Sequence, residues 1–215
     1  MQVDRKRVWT ACALLAAFGL FTAAVCCVDV RPIGPKGSLV GFASLNAVVH
    51  RFTGTHMGLY VLTDWLGLAP VGMMLLFAGL GLCQWVKRRS LAKVDRDLFV
   101  LGAFYVLVTA AYLLFEECAV NYRPVLIEGR LEASYPSSTT LLVLCVVPTT
   151  VLQLRQRMKN CPLRSGIQGL LIVFAAFMVL ARLLSGVHWL TDIAGGMLLG
   201  AGLVRLYDAF IPGRE

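Results

Sequence analysis

Arg182-x5-His188-x3-Asp192, within ARLLSGVHWLTDIAGG, sets a permanent cation, a titratable imidazole and a carboxylate inside otherwise apolar sequence. The arginine closes one apolar run and the aspartate opens the next. In a helix that starts near Trp189, His188 and Asp192 share a face one turn apart, so the carboxylate can hold the ring. An imidazole held in this way can act as a nucleophile. The three residues also admit a plainer reading: an interfacial arginine, a helix-capping aspartate and an incidental histidine.

Two other stretches carry chemistry that matches. Tyr122-Arg123-Pro124 supplies a second arginine, and Tyr135-Pro136-Ser137-Ser138-Thr139-Thr140 leads into an apolar run. Ser137, Ser138 and Thr139 form a helix start, where hydroxyls cap free backbone N–H groups. The same N–H groups can cradle a phosphate. Two arginines, a helix N-terminus and a His–Asp pair are together what phosphoryl transfer uses. The arginines and N–H groups neutralise and hold the non-bridging oxygens, and the imidazole attacks phosphorus. Nothing in the chain resembles a Mg²⁺ cage, so no metal and no cofactor is expected, and the arginines take over that charge neutralisation.

These pieces lie far apart in sequence, and hydropathy says what brings them together. The 215 residues are 58% hydrophobic and 15% charged, with a mean hydropathy of +0.75. Soluble domains are far more polar, so the chain reads as one integral membrane domain over residues 1–215. Its net charge of +8 does not point to nucleic acid, because the basic residues flank apolar runs and form no stripe. Seven cysteines show no CxxC and no metal-ligand spacing with histidine, so neither a disulfide framework nor a structural metal is expected.

Six runs are long enough, or nearly so, to cross a bilayer: Val8–Val28, Leu66–Val86, Leu98–Phe115, Thr139–Leu154, Ile167–Leu184 and Trp189–Leu206. The expected fold is all-α, a bundle of six transmembrane helices. The first run follows Arg5-Lys6-Arg7 and is too long for a typical secretory signal, which makes it a retained span. Placing the N-terminus in the cytoplasm puts fourteen of the 20 basic residues on the inner side, Arg214 among them. The positive-inside rule therefore sets both termini in the cytoplasm of a cell whose plasma membrane the chain spans. Arg123, the Ser137-Ser138-Thr139 turn and the Arg182/His188/Asp192 cluster then share the outer face. Leu45, Val48, Val49 and Phe52 have the spacing of an amphipathic helix on the membrane surface between the first two spans. Gly196-x3-Gly200 in the last run permits close helix approach.

With these residues in order, the chain resembles the type 2 phosphatidic acid phosphatase superfamily of integral membrane lipid phosphatases. That family carries Lys-x6-Arg-Pro, Pro-Ser-Gly-His and Ser-Arg-x5-His-x3-Asp. Here they stand as Glu116-x6-Arg123-Pro124, Pro136-Ser137-Ser138-Thr139 and Ala181-Arg182-x5-His188-x3-Asp192, and the similarity runs from about residue 60 to the C-terminus. The resemblance implies a membrane lipid substrate, His188 as a nucleophile that becomes phosphohistidine, and Asp192 as its partner. It also implies that Arg123, Ser137, Ser138, Thr139 and Arg182 hold the phosphate.

Two positions depart from the family. Glu116 replaces the lysine; a carboxylate there repels phosphate and is expected to point elsewhere. Thr139 replaces the histidine that would protonate the leaving group, and a hydroxyl is no strong acid at neutral pH. Losing a general acid costs about 10²–10⁴-fold. The loss is heavy for an alkoxide and light for a lipid phosphate, whose second pKa is about 6. The expected substrate is therefore a polyprenyl diphosphate in preference to a lipid monophosphate. His50 or His56 of the first outer segment is a candidate replacement acid. The competing reading is a family member that binds or transports a lipid phosphate without turning it over.

Overall fold

A computed structural model describes residues 4–211, so Arg214 lies outside the described residues. Among the described residues eight α-helices follow one another: α1 (Arg5–Cys27), α2 (Ala43–Thr53), α3 (Met57–Leu66), α4 (Leu68–Arg88), α5 (Arg96–Glu117), α6 (Ser138–Arg157), α7 (Pro162–Leu184) and α8 (Leu190–Phe210). Among the described residues there is no β-strand, only three isolated bridges in loops. Among the described residues six segments are long and apolar enough to span a membrane, and each overlaps one of the six runs read from hydropathy. The chain is an all-helical, multi-pass membrane protein.

The first outer segment holds more helix than hydropathy indicated. The amphipathic pattern does form a helix, α2, and it turns Leu45, Val48 and Phe52 outward. A separate helix, α3, then leads straight into α4, with Gly67 at the joint donating to Thr63 O and Asp64 O. Pro70 in the first turn of α4 lacks an N–H that the turn would leave unpaired anyway. The apolar run thus begins earlier in structure than in hydropathy, because α3 keeps a polar stripe that carries Thr63 and Asp64.

The centre of the bundle is α6 and α8. About half of each is buried (56% and 50%), against 11–28% for the other spans. Glycines make this packing possible. A Cβ on Gly196 would sit 3.1 Å from the Thr140 side chain, and one on Gly200 would sit 3.2 Å from Leu144, so α8 lies directly on α6. On another face of α8 a Cβ on Gly202 would come within 2.8 Å of Leu15 of α1. Tyr135 seals the same end of the bundle. Its ring stacks on Phe18, meets Phe115 edge-on and donates or accepts a 2.8 Å hydrogen bond with Thr22. At the opposite end Arg157 bridges Asp95 and Asp97, and Arg7 bridges α1 to Asp208 of α8.

Candidate active site

The start of α8 is built around Asp192. Its Oδ2 accepts the Trp189 N–H at 2.9 Å, which caps the helix, and lies 3.5 Å from His188 Nδ1. Capping and holding the histidine are therefore done by one carboxylate, and the two sequence readings do not compete. The His–Asp separation is longer than a well-formed hydrogen bond. The other ring nitrogen, Nε2, faces Arg123 Nη1 at 3.4 Å. A guanidinium only donates, so Nε2 presents its lone pair and the proton sits on Nδ1, toward Asp192. Burial drives the His188 pKa down to about 4; Asp192 opposes the shift, while Arg123 and Arg182 add to it. The ring is neutral at physiological pH.

His188 rides on the turn between α7 and α8, which the segment before the second span clamps. Gly186 takes φ +66°, and a Cβ there would lie 1.8 Å from Gly54 O. His56 N–H donates to Ser185 O at 2.8 Å, and His50 Nε2 lies 3.0 Å from Gly186 O. The His50 ring is thereby a brace for the turn. The His56 side chain is exposed.

Arg123 lies in the loop between α5 and α6, which folds back on itself. Its N–H donates to Glu132 O, Ser134 N–H donates to Asn121 O, and its Nε lies 3.1 Å from Glu132 Oε2. Arg182, at the end of α7, is fully buried and donates to Thr63 Oγ1 at 3.0 Å, with Asp64 at 3.9 Å. Both guanidiniums lie over the ring of Tyr60, at 4.8 Å for Arg182 and 5.8 Å for Arg123. Tyr60 carries no motif signature, and only the fold reveals it.

The serine turn joins the same group. Ser137 is the N-cap of α6, its Oγ accepting Thr140 N–H at 3.5 Å, and its own N–H donates to Asp192 O at 3.0 Å. That bond ties the first turn of α6 to the first turn of α8. The N–H groups of Ser138 and Thr139 belong to the first turn, where a helix has no internal acceptors for them. Ser138 lines the pocket into which His188 and Arg123 open. Thr139 lines an adjoining cleft of about 340 Å³, with Asp64, Leu68, Val108 and Leu142 among its walls. The structure thus gathers all seven sequence-selected residues at one end of the bundle, with Thr139 one pocket away from His188.

Glu116 is exposed and borders the His188 pocket together with Arg123 and Ser138. It lies in the last turn of α5, one turn after Tyr112, which borders the same pocket.

A buried His–Asp pair, two arginines and a free helix N-terminus at one end of a six-span bundle define a phosphate-handling membrane protein. Comparison with known proteins agrees. The PAP2 superfamily matches residues 102–214, and the chain belongs to that superfamily. The fold is similar to the crystal structure of the first transmembrane PAP2 type phosphatidylglycerolphosphate phosphatase from Bacillus subtilis. The TM-score is 0.56 and identity 19%, covering 93% of this chain and 94% of that one. No curated protein matches the chain in sequence. Family and fold together make this a phosphatase-type membrane protein.

Proposed function

We propose that the protein hydrolyses a lipid phosphate through a phosphohistidine on His188, and that polyprenyl diphosphates are its preferred substrates. The observation that carries this is the orientation of one ring: His188 Nε2 faces Arg123 while Nδ1 faces Asp192. A phosphate drawn to Arg123, Arg182 and the Ser138 and Thr139 N–H groups meets the Nε2 lone pair. Nε2 bonds to phosphorus, the bond to the leaving oxygen breaks, and that oxygen departs as lipid alkoxide or lipid phosphate. Asp192 stabilises the positive charge that develops on the ring. Water then cleaves the P–N bond and releases inorganic phosphate. The leaving group decides the substrate. Thr139 offers no acid, so a lipid phosphate, stable once expelled, leaves more readily than an alkoxide. The adjoining cleft carries Leu68, Val108, Leu141 and Leu142 on part of its wall, a surface suited to the first carbons of a lipid chain.

Charge bias supports a site on the outer face of the plasma membrane, with both termini in the cytoplasm of a single membrane domain. A second reading, lipid-phosphate binding without turnover, draws on Glu116 in the pocket and on the Glu132 ion pair that occupies Arg123. Labelling with radioactive polyprenyl diphosphate separates the two. Acid-labile, base-stable phosphate on the wild type that vanishes in His188→Ala supports the enzyme. Binding without label supports the second reading. Faster phosphate release from phosphatidate than from farnesyl diphosphate sinks the substrate preference alone.

A further inference from the structure

Beneath Asp192 lies a network of buried amides that none of the motifs contains. Asn46 and Asn121 are 0% and 1% exposed, and Thr191 and Asp192 beside them are equally enclosed. Asn46 belongs to α2 and lies outside the stretch that matches the superfamily. Its Oδ1 accepts Thr191 N–H at 3.3 Å, and its Nδ2 donates to Gly41 O at 2.8 Å and Thr191 Oγ1 at 3.0 Å. Asn121, two residues before Arg123, accepts Gly41 N–H on Oδ1 at 3.3 Å. A backbone N–H can only donate, so this contact fixes which way the amide points. The Asn121 Nδ2 is left facing Asp192 Oδ1 and Thr191 Oγ1, each at 3.4 Å.

Every partner in this network fits one chemical role. Asp192 uses Oδ2 for Trp189 and His188, and Oδ1 meets Asn121. A carboxylate held at one oxygen alone can swing about its bond to Cβ; held at both, it cannot. We infer that Asn121, anchored by Gly41 and supported by Asn46 through Thr191, is a positioning residue that fixes the Asp192 carboxylate and through it the His188 ring. The inference rests on the phosphohistidine reading. It makes the chemistry depend on the segment between α1 and α2, since Gly41 sits so tightly that a Cβ would lie 1.7 Å from Val25 O. The charged and titratable groups around the pair are His188, Arg123 with its partner Glu132, Arg182 and Tyr135.

Charge turns this into a test. Asn121→Asp keeps size and shape but sets a second carboxylate against Asp192, and two carboxylates sharing a buried site cannot both ionise readily. A proton taken up there restores a donor toward Asp192. The Asn121→Asp enzyme is expected to lose about 10–100-fold in kcat at pH 7.5, the usual effect of removing a group that orients a functional residue. It should recover part of that loss on acidification, with KM little changed. Asn121→Ala should be slow at every pH. A folded Asn121→Asp enzyme whose kcat and pH profile follow the wild type overturns the inference. If the Asn121 variants do not fold, Thr191→Val removes only the shared hydroxyl acceptor. A fall of about 3–10-fold in kcat, smaller than for loss of the whole amide, then supports the network, and wild-type turnover overturns it. His188→Ala serves as the separate control. Turnover that survives His188→Ala sinks the phosphohistidine reading, whatever the Asn121 variants do.

Discussion

Removing the His188 imidazole should flatten the acid side of the stability curve. In an unfolded chain histidine titrates near pH 6.5, whereas the buried His188 ring takes its proton only at about pH 4. Between those values the unfolded state binds one proton that the folded state refuses. Folded-state stability therefore falls as pH drops from about 6.5 toward 4, by ~1.4 kcal/mol per unit and about 3 kcal/mol in all. For a chain of this size that corresponds to roughly 6–12 °C in thermal midpoint. The assay is thermal unfolding in detergent micelles at half-unit pH steps, for the wild type and His188→Ala. All other groups titrate in both proteins, so the difference between the two curves isolates residue 188. The wild type should lose ground to the variant steadily below pH 6.5. Parallel curves would refute the reasoning, because they would mean that His188 titrates in the fold as it does in water. The same low pKa keeps the Nε2 lone pair available at pH 5–6, so acidification over that range should not protonate His188.

Two further substitutions probe the pocket and its support. Gly186→Ala forces a side chain into a left-handed turn and against Gly54 O, 1.8 Å from the new Cβ; it should cost more than about 2 kcal/mol and abolish labelling of His188, as read by thermal midpoint and radiolabel. Glu116→Gln removes a negative charge from the pocket wall and should lower KM for a lipid diphosphate about 3–10-fold, an energy on the order of 1 kcal/mol. A fall in kcat instead would identify Glu116 as the missing proton donor and remove the reason for preferring a diphosphate.

The spans were legible because membrane insertion depends on local hydropathy, which one chain displays without any knowledge of its contacts. The same holds for Ser137, whose capping role needs only the following turn, and for His188 and Asp192, which are one helical turn apart. What stayed hidden was tertiary. Asn46 and Asn121 are single uncharged amides with no periodic or motif signature, and their meaning lies in contacts to residues 145 and 71 positions away. Tyr60 looks like any interfacial aromatic until two arginines are found over its ring. Glu116 shows a different limit: electrostatics says that a carboxylate avoids phosphate, but the helix that carries it decides that it borders the pocket. The absent lysine and histidine were visible as letters; what replaced them in space was not.

The surface helix α2 does two things at once. It turns Leu45, Val48 and Phe52 outward, a face that seeks the boundary between lipid tails and headgroups. From its other side Asn46 holds Thr191, three residues after His188, and His50 holds Gly186, two residues before it. A helix whose apolar face suits the bilayer surface is thus bonded to the turn that carries His188. On the proposed reading, the depth of His188 would follow α2 rather than the length of the spans.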